Sequence, residues 1–419
     1  MTRVLFLTES YHPVLGGGEV HIRGLSSRLA ASGFPATVLT RRTDAGWPAE
    51  EMDGGVRVLR VGPSGPGRGG KYAMVPRAVA ALRRERGTYD VVVVRGTRVL
   101  GLPGLLTGRL LGKAVVLQAE LNGEMAGDVY TWGTPLDRPA VRPFVRAVTG
   151  ARNLLLRDAD AFVAMSRRIR DEFVEAGVPA ERVALIPHGV DTDRFRPATA
   201  RERVELRQAL HLPAGGVLIT YTGRLLRGKG LEALLDAFAT AAASEPRVHL
   251  LLVGSGAGQT LSVEDALKAR VGGHGLASRV TFAGRVENVE DWLRASDVFA
   301  FPSVFEALGI SLVEAAACGL PCVGSRTGGI VDVVEDGASG LLVDPGHSEN
   351  LGAALRALVA DPVTRARMGE RSRALALARF DSREAVDRYR ALFAEVTARS
   401  RPGASPPARA ARADAAPRR

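Results

Sequence analysis

Residues 303–329 read SVFEALGISLVEAAACGLPCVGSRTGG, and they decide how the rest of the chain is understood. Glu306 and Glu314 stand eight positions apart in it. A helix starting near Gly309 makes that offset about two turns and aligns both carboxylates on one face, at ~3.6 residues per turn. One carboxylate at the helix mouth and one inside it can grip hydroxyls at two depths of a single elongated ligand. Two sugar rings joined by a diphosphate fit that description. Proline and glycine punctuate the end of the helix, and Pro321–Gly324 reads as a short apolar strand.

Outward from this stretch, short β-branched runs alternate with longer helical patterns, the rhythm of parallel α/β units. The first half predicts strands at Val4–Thr8, Ala36–Thr40, Val56–Val61, Val91–Val94, Ala114–Gln118, Ala161–Ala164 and Val183–Ile186. The second half restarts with Val217–Tyr221, Val248–Val253, Val280–Ala283, Val298–Phe301 and Pro321–Gly324. Helical periodicity falls near Glu19–Ala31, Val75–Arg86, Pro139–Arg157, Arg167–Ala176, Leu231–Ala243, Val263–Val271 and Ile310–Ala317, then Leu351–Ala360 and Pro362–Ala378. The joint is the proline-bearing stretch PHGVDTDRFRPATA, residues 187–200. Open parallel sheets carry their ligand crevices at the carboxyl ends of their strands, so a cleft between two domains is the expected site.

At 419 residues the chain is too long for one ordinary core. No apolar run approaches the ~20 residues that span a bilayer, and the start, MTRVLFLTESYHP, reads as strand then loop, with no secretory leader expected. Two cysteines, Cys318 and Cys322, build no disulfide framework, which favours a reducing cytoplasm. Both read as small packed residues. Of the net charge of +11, the segment after Ala398, RSRPGASPPARAARADAAPRR, holds six Arg against one Asp. That Pro/Ala/Arg tail cannot bury a core and is expected to be disordered. The rest of the charge is modest, and no nucleic-acid-binding motif accompanies it. An anionic membrane surface or a phosphate-bearing substrate accounts for it as well or better.

Two further blocks carry chemistry. Gly16-Gly17-Gly18 follows the first strand and opens a helix, where glycines let backbone N–H groups approach an anion. Gly223-Arg224 follows the strand Val217–Tyr221, and Lys229 lies five residues on, so both cations emerge at that strand's carboxyl end. They are spaced to converge on one anion such as a diphosphate leaving group. Charge-assisted contacts of this kind are worth roughly 1.5–3 kcal/mol each and strengthen as charge builds on a leaving oxygen.

The order Glu306, Glu314, Ala317, Gly319, Pro321, Ser325, Gly328, Gly329 resembles the signature of retaining glycosyltransferases of family 4. Further matches follow the family's order: Gly16-Gly17-Gly18-Glu19, the joint motif Ile186 to Phe195, Gly223-Arg224 with Lys229-Gly230, Gly254 with Gly256, and Asp297 to Ser303. The resemblance covers roughly residues 2–390. It implies the GT-B architecture, two Rossmann-like parallel-sheet domains facing each other across a deep cleft. The expected division is residues 1–190 for the acceptor side, 191–380 for the donor side, 381–398 as a helix returning to the first domain, and 399–419 as the basic tail.

The resemblance also implies roles. Arg224, Lys229 and Glu306 are the expected catalytic residues. Gly16, Gly17, Gly18, Gly223, Val286, Leu308, Gly309, Ile310 and Glu314 join Arg224 and Lys229 in holding the donor. Glu306 lies against the transferred sugar and Glu314 holds the ribose. The donor is a UDP- or GDP-linked sugar, used as substrate with no separate cofactor and no metal; no His/Asp/Glu grouping has metal spacing. The acceptor is a glycan, a lipid-linked molecule or a small molecule, and work on the cell envelope or a polysaccharide is implied. One departure stands out. Many relatives carry a histidine after the fourth core strand of the first domain, where this chain has Glu120, Asn122 and Asp128 as candidates to replace its contact. His188 reads as a loop residue of the joint, and His12 and His21 flank the glycine run.

Two rival readings keep the architecture and change the chemistry: a nucleotide-sugar epimerase or phosphorylase, and a non-catalytic nucleotide-sugar-binding protein. Separately, Arg138, Arg142 and Arg146 fall at steps of four on one predicted helix, beside Val141, Phe144, Val145 and Val148, with Lys71, Arg77, Arg83, Arg84 and Arg86 as a basic neighbour. That face suits peripheral contact with an anionic membrane, at the cytoplasmic side.

Overall fold

A computed structural model of the chain describes residues 2–399 apart from 15, 66–68, 129–137 and 260. The basic tail beyond Arg399 therefore lies outside the described residues.

Two sheets organise the chain. The first contains β1 (Val4–Leu7), β2 (Ala36–Arg41), β3 (Glu50–Asp53), β4 (Val56–Val61), β5 (Val91–Arg95), β6 (Ala114–Gln118), β7 (Ala161–Ala164) and β8 (Val183–Leu185). Their order is β3-β4-β2-β1-β5-β6-β7-β8, parallel throughout except for the pairing of β3 with β4. The second contains β9 (Val217–Thr222), β10 (Val248–Val253), β11 (Val280–Gly284), β12 (Val298–Phe301), β13 (Cys322–Ser325) and β14 (Gly340–Val343), in the order β11-β10-β9-β12-β13-β14. Val4–Leu7 and Val91–Arg95 are buried along their whole length. A parallel strand covered by helices on both faces has no wet side, so it is apolar without alternation.

Both faces of the first sheet are covered. One packs on Met74, Ala78, Leu105 and Leu156, from helices Val75–Arg84, Gly101–Leu110 and Arg142–Leu156 and the residue before them. The other packs on Ile22, Leu25 and Leu29 of the helix Gly17–Ala31 and on Tyr389, Phe393 and Val396 of the last helix, Ser382–Arg399. The chain thus returns to its first sheet at its end. A bridge between Val190 and Asp381 marks where it crosses back, and Asp381 accepts from Thr192 Oγ1 at 2.5 Å.

Several elements depart from the sequence reading. β3, EEMD, is a charged edge strand held by antiparallel pairing to β4 and by Arg57 Nε on Glu50 at 2.6 Å. Its composition carries no strand signal, because an edge strand gains from acidic residues that discourage further pairing. β14 is a half-buried edge of four residues, too short to show a period. Helices Gly101–Leu110, Ala200–Ala209 and Val289–Ala295 also went unpredicted. Ala200–Ala209 begins with a reciprocal capping box between Thr199 and Glu202, whose T-x-x-E spacing is legible in the sequence. Arg138 precedes the helix Arg142–Leu156, so the three arginines do not form one helical row.

Candidate functional site

In each sheet the strand order reverses beside the earliest strand. β1 lies between β2 and β5, and β9 lies between β10 and β12. The segments leaving these strands are the ones the sequence singles out: the glycine run after β1, residues 119–128 after β6, Gly223-Arg224 after β9 and Pro302–Gly309 after β12. They meet across the cleft.

Gly17 starts its helix facing the helix Ile310–Ala317 of the other sheet. A Cβ on Gly17 would lie 3.2 Å from Ile310 Cδ1, and one on Gly18 would lie 3.0 Å from Glu120 Oε2. Gly309 sits at φ +91° just before the second helix, where a Cβ would meet Phe301 Cε1 at 2.9 Å. Glycine is required there for both conformation and space. Leu308 is buried, and the helix Ile310–Ala317 starts beside Gly17, so its N-terminal end lies next to the glycine run. Val286 follows β11 and is half-buried against the cluster that contains Leu218 and Trp292.

The two glutamates differ in position. The helix begins at Ile310, so only Glu314 is on it; Glu306 belongs to the preceding loop. The expected alignment of both carboxylates on one helical face is therefore corrected. Glu306 is fixed instead by Lys229, whose Nζ lies 2.6 Å from Glu306 Oε2 and 5.8 Å from the centre of the Phe301 ring. Arg224 is exposed, and its carbonyl accepts from Tyr221 Oη at 3.1 Å. Gly223 takes φ +145° with Tyr221 Oη 2.9 Å from where a Cβ would stand, which turns the chain sharply out of β9. In this state Lys229 serves the carboxylate rather than converging with Arg224 alone.

Glu314 lines a pocket of ≈ 200 Å³ with His21, Arg28, Val190, Asp191, Arg194 and Ile310. Burial pushes its carboxyl up to about 8, although Arg194 opposes the shift. Arg194 is itself held by Glu290 Oε2 at 2.7 Å and by the Glu287 carbonyl at 3.1 Å, beside Val286. Arg28 Nη2 reaches Asp191 Oδ2 at 2.7 Å and ties the first helix to the joint. A carboxyl shifted toward its neutral form, in a pocket whose arginines are each paired with a carboxylate, suits a hydroxyl-rich ligand.

The loop at the position of the family histidine is rigidly built. Glu124 accepts from the N–H groups of Thr97, Glu120 and Leu121, and Glu172 accepts from those of Gly123, Met125 and Ala126. Glu120 turns back to Arg95, at 2.8 Å, behind Gly18. Asn122 crosses the cleft, its Nδ2 donating to the Glu306 carbonyl at 2.7 Å. Asp128 is exposed at the end of the loop. Of the three candidates, only Asn122 touches the Glu306 segment among the contacts described. Glu124, Glu172 and Arg95 were missed by sequence reasoning, since an isolated Glu or Arg gives no sign of burial.

His188 lies in the joint loop, as its sequence position implies, and folding encloses it. His188 is buried and stacks on His21, ring centres 3.6 Å apart at 14°, with Gln118 Nε2 3.4 Å from its Nε2. Burial and neighbouring Arg95 push His188 down to about 3, and burial likewise holds His21 well below the usual range. His12 lies toward Arg23, 3.5 Å from its Nη1. Cys318 and Cys322 are buried free thiols, and burial pushes Cys322 up to about 12.

Residues 15–194 match the family described as Glycosyltransferase Family 4, and residues 202–375 match the one described as Glycosyl transferases group 1. The D-inositol 3-phosphate glycosyltransferase of Arthrobacter sp. (strain FB24) is 31% identical over 387 residues, covering 88% of this chain and 89% of that protein. The chain belongs to glycosyltransferase family 4. Its counterpart from Xylanimonas cellulosilytica is 32% identical over 401 residues, covering 92% of this chain and 93% of the relative. Among solved structures, sucrose-phosphate synthase from Thermosynechococcus elongatus superposes with a TM-score of 0.76 at 25% identity, over 94% of this chain and 100% of that one. Anabaena HepE in complex with UDP-glucose gives 0.74 at 22% identity over the same shares, a likeness of fold. The two-domain GT-B architecture is thus shared, and this family 4 chain is a glycosyltransferase.

Proposed function

We propose that the chain is a retaining glycosyltransferase that takes its sugar from a UDP- or GDP-linked donor and transfers it to an acceptor hydroxyl. The observation that carries this reading is the Lys229–Glu306 pair at the carboxyl end of the second sheet, opposite the glycine run and Asn122. A carboxylate fixed by a cation can accept from sugar hydroxyls, and in this reading that cation also meets the diphosphate joined to the sugar.

In this reading Arg224 and Lys229 hold the diphosphate, the Ile310 end of the helix and the glycine run supply N–H donors, and Glu314 holds the ribose. The bond from the anomeric carbon to the diphosphate oxygen breaks, and the electron pair leaves with the diphosphate, where the two cations stabilise it. The acceptor oxygen bonds to the same face of the anomeric carbon and passes its proton to the departing diphosphate. A covalent glycosyl–enzyme step fits these residues poorly. Glu306 is engaged by an ammonium group, and Glu314 is shifted toward its neutral form, so neither is a ready nucleophile. Charge neutralisation falls to Arg224 and Lys229 rather than to a metal ion, and we place the reaction in the cytoplasm. D-Inositol 3-phosphate, in the name of several relatives, is the first small-molecule acceptor to test.

A panel of UDP- and GDP-sugars screened by thermal shift identifies the donor, because bound donor stabilises in proportion to its saturation. NMR of the product with that donor then reads its anomeric configuration. Retention, with the rate unchanged by a chelator, supports the reading; inversion or a chelator-sensitive rate contradicts it.

A further inference from the structure

The helix Arg142–Leu156 turns Thr149, Asn153 and Leu156 inward. Through this face it grips the loop after β6: Arg152 donates to the Glu124 carbonyl at 2.6 Å, and Asn153 to the Met125 carbonyl at 2.8 Å. Its outward face is not the polar surface expected of a solvated helix. Phe144, Val148, Leu154 and Leu155 lie on it, with Leu106 and Leu110 from the neighbouring helix Gly101–Leu110, each between 51% and 76% exposed. These two helices hold six of the large apolar side chains that the described residues leave exposed. Solvent-facing apolar residues grouped at helical spacing mark an interaction surface rather than chance exposure.

The charge around the patch identifies the partner. Residues 101–113 and 138–160 contain seven basic side chains against two acidic ones, and Arg109, Arg138, Arg142 and Arg146 among them are exposed. Both acids, Asp158 and Asp160, are occupied by Arg109. The helix Val75–Arg84, on the far side of Gly101–Leu110, adds exposed Arg77, Arg83 and Arg84. A second copy of this chain docking through the same face would set two basic rims against each other, which like-charge repulsion opposes. A surface that is apolar just below and anionic at its plane satisfies both features.

We propose that the outer faces of Arg142–Leu156 and Gly101–Leu110 dock on an anionic lipid surface, the apolar side chains entering the headgroup layer and the arginines meeting lipid charges. The helix that touches lipid on one side clamps the Asn122 loop on the other, so the cleft is held at a fixed distance from the membrane plane. This surface stands apart from the donor site, and its failure would leave the transferase reading intact.

The test is sedimentation of the full chain with vesicles of phosphatidylcholine alone and of phosphatidylcholine mixed with phosphatidylglycerol, at low salt and at about 1 M salt. Binding to the mixed vesicles that weakens in high salt is expected, with Phe144→Glu/Leu155→Glu lowering the partition coefficient roughly tenfold. Leu106→Gln/Leu110→Gln, on the other helix, should lower it in the same direction, so the result does not hang on one variant's folding. Every protein keeps the tail after Arg399, so a loss in the variants is not the tail's. Absence of wild-type binding, equal binding to neutral vesicles, or both variants binding like wild type overturns the proposal. So does a wild-type dimer that the variants split without any vesicle effect.

Discussion

Asn122, on the loop after β6, donates its side-chain amide to the main-chain carbonyl of Glu306 at 2.7 Å, joining the two halves of the cleft at the carboxylate expected to face the sugar. The loop is prebuilt by Glu124 and Glu172, so the bond sets where Glu306 sits without holding the loop together. Asn122→Ala should therefore keep the melting temperature close to wild type while lowering kcat/KM about tenfold, the effect of a small misplacement at the reacting centre. Unchanged kinetics would show that the contact is incidental.

Gly328 packs into the same junction. It has φ +51°, and a Cβ on it would lie 1.9 Å from the Glu306 oxygen and 2.7 Å from Asn122 Nδ2. Gly337 has φ +75° with open space around it. Denaturant melts should find Gly328→Ala destabilising by about 2–4 kcal/mol and Gly337→Ala by about 1 kcal/mol. Equal losses would mean that strain alone, without the packing, is being measured.

Glu306→Gln separates sugar from nucleotide. The amide oxygen can still accept from Lys229 but carries no charge, so Lys229 is held less tightly and is freer to meet a diphosphate. Calorimetry with the nucleoside diphosphate should give affinity equal to or tighter than wild type, while turnover of the sugar donor falls at least about a hundredfold. Weakened nucleotide binding with normal turnover would reverse the assigned roles.

Glu314 imposes a pH dependence on stability. Its folded-state value of about 8 lies above the ordinary carboxyl range, so the fold prefers the neutral acid. That preference is fully satisfied below the unfolded value near 4.5 and is lost as pH rises toward about 8. Glu314→Gln mimics the neutral acid, so its melting temperature should exceed wild type increasingly from pH 5 to pH 8, by an amount worth up to about 4 kcal/mol at the upper end. A constant difference across that range would locate the buried proton elsewhere.

The His21–His188 stack acts in the opposite window. Both rings are held below the ordinary histidine value, so the neutral stack stabilises above about 6.5 and each ring costs up to about 1.4 kcal/mol per pH unit as pH falls below it. His188→Asn should flatten the fall in stability between pH 6.5 and 4.5. An unchanged slope would mean that carboxylates alone set it.

What the sequence made legible was local and what it hid was long-range. The helix Ile310–Ala317 and the buried strands came through because apolar period and glycine breaks are properties of neighbouring residues. Lys229 was legible as a cation after β9, but its pairing with Glu306 joins residues 77 positions apart. Glu172 looked like any surface acid on a charged helix, and His188 like any loop histidine, until folding enclosed them. β3 failed for another reason: it is held by pairing with β4 and by ion pairs from its acids to Arg57 and Arg60, partners that its own four residues do not reveal.

The most direct test of the account is kcat/KM of Arg224→Ala/Lys229→Ala with the best donor from the thermal-shift panel. Two charge-assisted contacts to the departing diphosphate, at roughly 1.5–3 kcal/mol each, predict a loss of about a hundredfold to ten-thousandfold in a folded protein. A double variant working at the wild-type rate would contradict the claim that these two cations carry the leaving group.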